Sequence, residues 1–234
     1  MKRGVIVALD FPGRKEAMEF LDLFRGKKLY VKVGMELFYN AGPEIIKELK
    51  EKGHKVFLDL KLHDIPNTIG NAMAALARMG VDMCNLHAAG TREMMEAGLH
   101  GLESVGGKRP ILLAVTQLTS TDQEAMQEEL LINEDMNTVV RWYSMNAKAA
   151  GLDGVVCSPL EAPVIHETCG EKFLTVTPGV RFAGGKVGDQ KRVTTPEEAK
   201  ELGSDYIVMG RPITRADDPV EAYHRALREF GVEE

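Results

Sequence analysis

Eight short apolar runs recur along the chain, at residues 5–9, 29–33, 56–60, 83–87, 111–115, 154–157, 173–176 and 206–209. Between them, apolar side chains return every three or four residues, as in Ala17-Phe20-Leu21-Phe24, Ile45-Ile46-Leu49, Met94-Met95-Leu99-Leu102 and Val139-Val140-Tyr143-Ala147. The short runs read as strands covered on both faces and the periodic stretches as amphipathic helices. Met79-Gly80-Val81-Asp82, Ala150-Gly151-Leu152-Asp153 and Leu202-Gly203-Ser204-Asp205 each put glycine where a left-handed residue ends a helix just before the next strand, and Gly53 falls in a similar place. Eight strand-helix units without a break in composition predict a (β/α)8 TIM barrel, one α/β domain over residues 1–234, with an open doubly wound sheet as the competing arrangement. Two segments depart from the repeat. One is the acidic stretch 120–136; the other is 182–190, whose Gly184, Gly185 and Gly188 suit either a mobile loop that grips a ligand phosphate or a plain surface excursion.

The third run leads into Asp59-Leu60-Lys61-Leu62-His63-Asp64-Ile65-Pro66-Asn67-Thr68. Alternate residues of a strand share a face, so Asp59 and Lys61 point one way and Leu58, Leu60 and Leu62 the other. Pro66 precedes Ile69, Met73, Leu76 and Ala77, which suits a proline in the first turn of a helix. The stretch therefore reads as strand end, charged loop and helix start.

Active sites of such barrels lie at the carboxyl ends of the strands. Reading those ends in order yields Asp10, Lys32, Asp59 with Lys61, Gln117-Leu118-Thr119-Ser120, Pro178-Gly179-Val180-Arg181 and Gly210-Arg211. Each charge alone could be a solvated group or a local ion pair; together they cluster at one rim. Arg181 and Gly210-Arg211 follow strands seven and eight, where barrels commonly bind phosphate, and a guanidinium fork matches phosphate oxygens. A phosphorylated substrate is expected.

Charge arithmetic narrows the chemistry. Asp10, Asp59 and Asp64 could attract a divalent metal, but Lys32 and Lys61 stand among them and cannot ligate it, so no metal is expected. A Schiff-base lysine must be neutral, whereas neighbouring carboxylates favour the ammonium. Unit charges ~4 Å apart interact by about 4 kcal/mol at an effective dielectric near 20, enough to keep an alternating lysine and aspartate array ionised. Such an array suits stabilising and then protonating a carbanion.

The rest of the sequence mainly excludes. A formal net charge of -6 argues against a nucleic-acid surface. The opening apolar run is too short for a signal peptide and no run could span a bilayer, so a cytoplasmic protein is expected. Cys84, Cys157 and Cys169 form no CxxC pair and read as buried, reduced thiols. Neither a GxxxxGK[ST] loop nor a GxGxxG turn nor an HExxH pair occurs, so no nucleotide cofactor is expected. His63 and His87 read as hydrogen-bonded supports, Trp142 and Tyr143 as packing, and Arg141 and Lys148 as solvated helix faces.

The stretch 59–68, with Ala8-Leu9-Asp10, Val31-Lys32-Val33-Gly34, Leu118-Thr119-Ser120, Thr177-Pro178-Gly179-Val180-Arg181, Asp189-Gln190 and Val208-Met209-Gly210-Arg211, resembles the bacterial orotidine 5'-phosphate decarboxylases from about residue 4 to residue 223. The resemblance implies cofactor-free conversion of orotidine 5'-phosphate to UMP and CO2, the last step of pyrimidine nucleotide synthesis, by a homodimer with its sites at the interface. It implies that Asp10 contacts substrate, Lys32 binds ribose and holds the array, Asp59 faces the departing carboxylate, and Lys61 stabilises and protonates C6. Asp64 and Thr68 would enter the neighbouring subunit's site. Thr119 and Ser120 would lie by the pyrimidine, and Gln190, Arg181, Gly210 and Arg211 would hold the phosphate. Two other readings are the magnesium-dependent 3-keto-L-gulonate 6-phosphate decarboxylases, which would need an acid where Lys32 stands, and a non-catalytic UMP-binding barrel.

Overall fold

The computed structural model describes residues 4–184 and 193–232. Its eight strands are β1 (Gly4–Ala8), β2 (Tyr30–Gly34), β3 (Lys55–Leu62), β4 (Met83–His87), β5 (Ile111–Val115), β6 (Gly154–Val156), β7 (Leu174–Thr177) and β8 (Tyr206–Met209). They close into a barrel in sequence order, and every pair is parallel, including β8 against β1. Around them run α1 (Arg14–Asp22), α2 (Met35–Ala41), α3 (Glu44–Glu51), α4 (Pro66–Arg78), α5 (Thr91–Glu103), α6 (Gln123–Glu128), α7 (Met136–Ala149), α8 (Ala162–Cys169), α9 (Pro196–Glu201), α10 (Arg211–Thr214) and α11 (Pro219–Phe230). The chain is the expected (β/α)8 barrel, not an open sheet. Among the described residues no helix is long and apolar enough to cross a membrane.

Strand alternation divides the core in two. Ile6, Ala8, Phe57, Met83, Leu113, Val176 and Val208 fill the barrel interior, while Val5, Val7, Val56, Leu58, Cys84 and Leu112 pack outward against the helices. At the amino-terminal end of the barrel the rings of Tyr30 and Tyr206 meet edge to face, with centroids 6.0 Å apart. All three cysteines are buried and unbridged.

The three Gly-x-Asp helix exits share more than a glycine. Gly80, Gly151 and Gly203 have φ of 73°, 83° and 89°, the left-handed region that side chains resist. The aspartate two residues later then clamps the preceding strand. Asp82 accepts from the Val56 amide at 2.8 Å, Asp153 from the Leu112 amide at 2.7 Å and Asp205 from the Thr175 amide at 2.9 Å. Each aspartate amide donates back to the carbonyl of that same residue. Lys50 at 2.5 Å and Arg109 at 2.6 Å balance the first two carboxylates, and the His166 ring lies 3.3 Å from the third. The nearby Asp205 carboxylate outweighs burial and raises the His166 pKa. Charge-assisted hydrogen bonds of this kind are about twice as strong as neutral ones, so the device staples three strand starts into the sheet.

The acidic stretch 120–136 contains α6, capped by Asp122 accepting from the Ala125 amide, and Met126 is fully buried. One expectation about the surface needs correction. Trp142 does not pack inward; it is 60% exposed on the outer face of α7, while Tyr143, one residue on, lies against the core. Helix α4 and helix α5, which follow β3 and β4, approach closely over Gly70, Gly98 and Gly101. A methyl at residue 101 would run into the Gly70 carbonyl, and one at residue 98 would come within 2.8 Å of Leu86.

Candidate active site

The carboxyl ends of the strands surround a cleft of about 290 Å³, at the small end of the range for small-molecule sites. Nine of the expected residues line it: Asp10, Lys32, Asp59, Lys61, Thr119, Ser120, Arg181, Gly210 and Arg211. The barrel register explains the charged half. Lys32 stands on the interior face of β2, in register with Ala8 of β1 and Phe57 of β3, and Asp59 stands opposite Gly34. Asp10 comes directly after β1, where the Leu9 amide still donates to the Lys32 carbonyl.

These four side chains form a line of alternating charge. The Lys32 Nζ lies 3.1 Å from Asp10 Oδ1 and 3.3 Å from Asp59 Oδ2, and the Lys61 Nζ lies 2.7 Å from Asp59 Oδ1. Two glycines leave room for it. A Cβ at Gly34 would sit 3.2 Å from the Lys32 ammonium, and one at Gly210 would sit 3.3 Å from Asp10 Oδ2. Burial opposes charge on both central members, yet they stay charged. At Lys32, Asp59 and then Asp10 outweigh desolvation and raise its pKa; at Asp59, Lys32, Lys61 and a hydrogen bond from Asn85 do the same and lower it.

Asp64 and Thr68 lie outside this cleft. Both are exposed, Asp64 in the turn between β3 and α4 and Thr68 in the first turn of α4, and the Asp64 carboxylate accepts from the Ile65 amide at 2.7 Å. Ile65 beside them is 66% exposed. Gln190 and most of the glycine-rich segment 182–190 fall outside the described residues; at its start, the Arg225 guanidinium lies over the Phe182 ring, 4.2 Å from its centroid. His63 and His87 stack with centroids 5.6 Å apart, and desolvation, His63 and Lys61 lower the His87 pKa, keeping that imidazole neutral. Among the described residues no group of three or more His, Cys, Asp or Glu side chains could hold a metal ion.

Sequence reasoning missed one polar group and left another without a role. Gln117, named at the end of strand five, is buried and lines the cleft. Asn85 is fully buried in the middle of β4, where the apolar run Met83 to His87 masks it. Its carboxamide touches both Asp59 and the Lys61 amide. A lone polar residue inside a buried strand was the available signal.

Residues 3–226 match the family model described as Orotidine 5'-phosphate decarboxylase / HUMPS family. The chain is 56% identical over 233 residues to an orotidine 5'-phosphate decarboxylase of Bacillus cytotoxicus, covering 98% of each chain. A solved structure of orotidine 5'-phosphate decarboxylase from Lactobacillus acidophilus superposes with a TM-score of 0.88 at 44% identity, covering 99% of this chain and 100% of that one. An uncharacterised conserved protein from Geobacillus kaustophilus superposes with a TM-score of 0.87 at 52% identity, covering 97% of this chain and 99% of that one.

Proposed function

The chain belongs to the orotidine 5'-phosphate decarboxylase / HUMPS family, and from that premise we propose that it converts orotidine 5'-phosphate to UMP and CO2 without a cofactor. The observation that carries the proposal is the line of alternating charge Asp10, Lys32, Asp59, Lys61 at the barrel mouth, with Asp59 buried at its centre. Breaking the bond from C6 to the carboxylate leaves its electron pair on a carbon with no adjacent electron sink. A fixed ammonium interacts more strongly with that localised charge than with the delocalised substrate carboxylate, so it lowers the barrier and not merely the ground state. In this reading Lys61 faces C6, gives it one ammonium proton in place of CO2, and recovers a proton from solvent. Asp59 faces the departing carboxylate, and Lys32 binds ribose while keeping Asp59 ionised.

Specificity would come from the other side of the cleft. Thr119 and Ser120 suit the pyrimidine, while Arg181, Gly210 and Arg211, together with Gln190, suit the phosphate. Binding energy gathered on the phosphate, remote from the reacting bond, can be expressed in the transition state. The exposed placement of Asp64, Ile65 and Thr68, a few residues after Lys61, supports a homodimer in which Asp64 and Thr68 complete the neighbouring site. The magnesium-dependent sugar-phosphate reading is disfavoured because Lys32, an ammonium, holds the place that reading gives to an acid.

The test follows loss of orotidine 5'-phosphate by absorbance. Wild-type protein should consume it with or without EDTA, and Lys61→Ala should lose nearly all turnover while remaining folded. Absence of turnover in the wild type, or near-normal turnover in Lys61→Ala, overturns the assignment; loss in EDTA favours the magnesium-dependent chemistry.

A further inference from the structure

We infer that Asn85 is a positioning residue of the active site: its carboxamide holds open the irregular stretch of β3 from which Asp59 and Lys61 reach the cleft. The decarboxylase reading above supplies what those two groups do; the argument for Asn85 comes from the sheet.

The register between β3 and β4 pairs Leu58 with Cys84 and Leu62 with Leu86. Four steps along β3 thus match two along β4, so β3 carries two extra residues opposite Asn85. A bulge of this sort re-aims side chains and leaves backbone groups without ladder partners. Lys61 shows the effect, with φ of 50°, in the left-handed region that a β-carbon disfavours. Its amide finds its partner in Asn85 Oδ1 at 2.9 Å. The other end of the same carboxamide donates from Nδ2 to Asp59 Oδ1 at 2.7 Å, the oxygen that also accepts from the Lys61 Nζ.

A carboxamide meets two demands at once. A backbone amide can only donate and a carboxylate can only accept, so the group between them must accept on one side and donate on the other at fixed separation. Leucine offers neither. Aspartate keeps the acceptor but sets a second carboxylate against Asp59, which disfavours ionisation of both. Asn85 is wholly buried and does not line the cleft, so it acts through Asp59 and Lys61 and not on substrate.

The experiment compares wild type with Asn85→Ala, Asn85→Leu and Asn85→Asp, assayed well below each melting temperature. Turnover of orotidine 5'-phosphate should fall about 100-fold, the scale of a catalytic group displaced by ~1 Å. The dissociation constant for UMP should change less than about threefold, because the phosphate contacts on β7 and β8 are untouched. In Asn85→Asp the acid limb of the kcat profile should also move to higher pH. Should one substitution prevent folding, the remaining two carry the comparison, and a crystal structure of Asn85→Ala should show the Lys61 backbone leaving the left-handed region. Variants that melt earlier yet turn over within twofold of wild type would leave Asn85 merely structural and overturn the inference. An inactive wild type would instead sink the decarboxylase reading, with the Lys61 conformation still open to the crystallographic test.

Discussion

Oδ1 of Asp59 lies 2.7 Å from the Lys61 ammonium, two residues along the same strand, while Oδ2 of the same carboxylate faces Lys32 at 3.3 Å. One buried carboxylate is thus shared by two cations. Its depressed pKa follows, despite burial that would otherwise raise it.

The pH dependence of this arrangement has a definite sign. Asp59 binds a proton less readily in the native state than in the unfolded chain. It therefore adds stability above the ordinary value of 3.8 and loses it as pH falls through the depressed native value. Lys32 behaves oppositely: its contribution is present below the ordinary 10.5 and is lost as pH rises through the elevated native value. Both groups should stay charged from about pH 5 to pH 9. Urea midpoints of wild type and Asp59→Asn should differ most near neutrality and converge only as pH falls from about 4 through that depressed value; a gap independent of pH contradicts the pairing.

Arg211 lines the cleft at the start of α10, just after Gly210. If its guanidinium grips the phosphate, Arg211→Ala should weaken UMP by about 10-fold to 100-fold while leaving uridine nearly unaffected, since a charge-assisted pair contributes most of the difference. Calorimetric titration with both ligands decides it. Equal losses for UMP and uridine would place Arg211 elsewhere in the recognition.

Asp64 and Thr68 are exposed outside the chain's own cleft, which makes the shared-site proposal measurable by mixing. Lys61→Ala and Asp64→Ala homodimers should each be nearly inactive. After exchange, half of the dimers are mixed, and each has one site with both residues intact, so activity should return to about 25% of wild type. No recovery after confirmed exchange would mean that Asp64 serves its own subunit or none.

At the opposite end of the barrel, Asp153 takes the Leu112 amide at 2.7 Å and two Arg109 nitrogens at 2.6 and 2.9 Å. Asp153→Ala should cost about 2–4 kcal/mol of unfolding free energy by leaving that amide and guanidinium unmatched. Because the cleft lies at the other end, kcat should stay within twofold of wild type. A denaturation series paired with steady-state kinetics reads both, and a large fall in kcat at unchanged stability would be the contrary result.

The eight strands, the helix exits at Gly80, Gly151 and Gly203, and the strand-end residues Asp10, Lys32, Asp59, Lys61, Arg181 and Arg211 were legible because each depends on local period or on position within one repeat. The roles of Asp82, Asp153 and Asp205 were not, since each clamp needs the preceding strand and a basic side chain from another element. Trp142 was misjudged for a related reason: periodicity locates the apolar face of α7, but only packing decides which residue at its edge turns outward.

By itself the sequence determined the repeating unit, its count and the identity of the charges at the rim, because hydrophobic period, glycine conformation and side-chain chemistry are properties of neighbouring residues. Tertiary structure decided how those charges are spaced. The offset of β3 against β4, the left-handed Lys61 and the carboxamide of Asn85 that spans the gap exist only once two strands are laid side by side, and no local pattern along either strand encodes their mismatch.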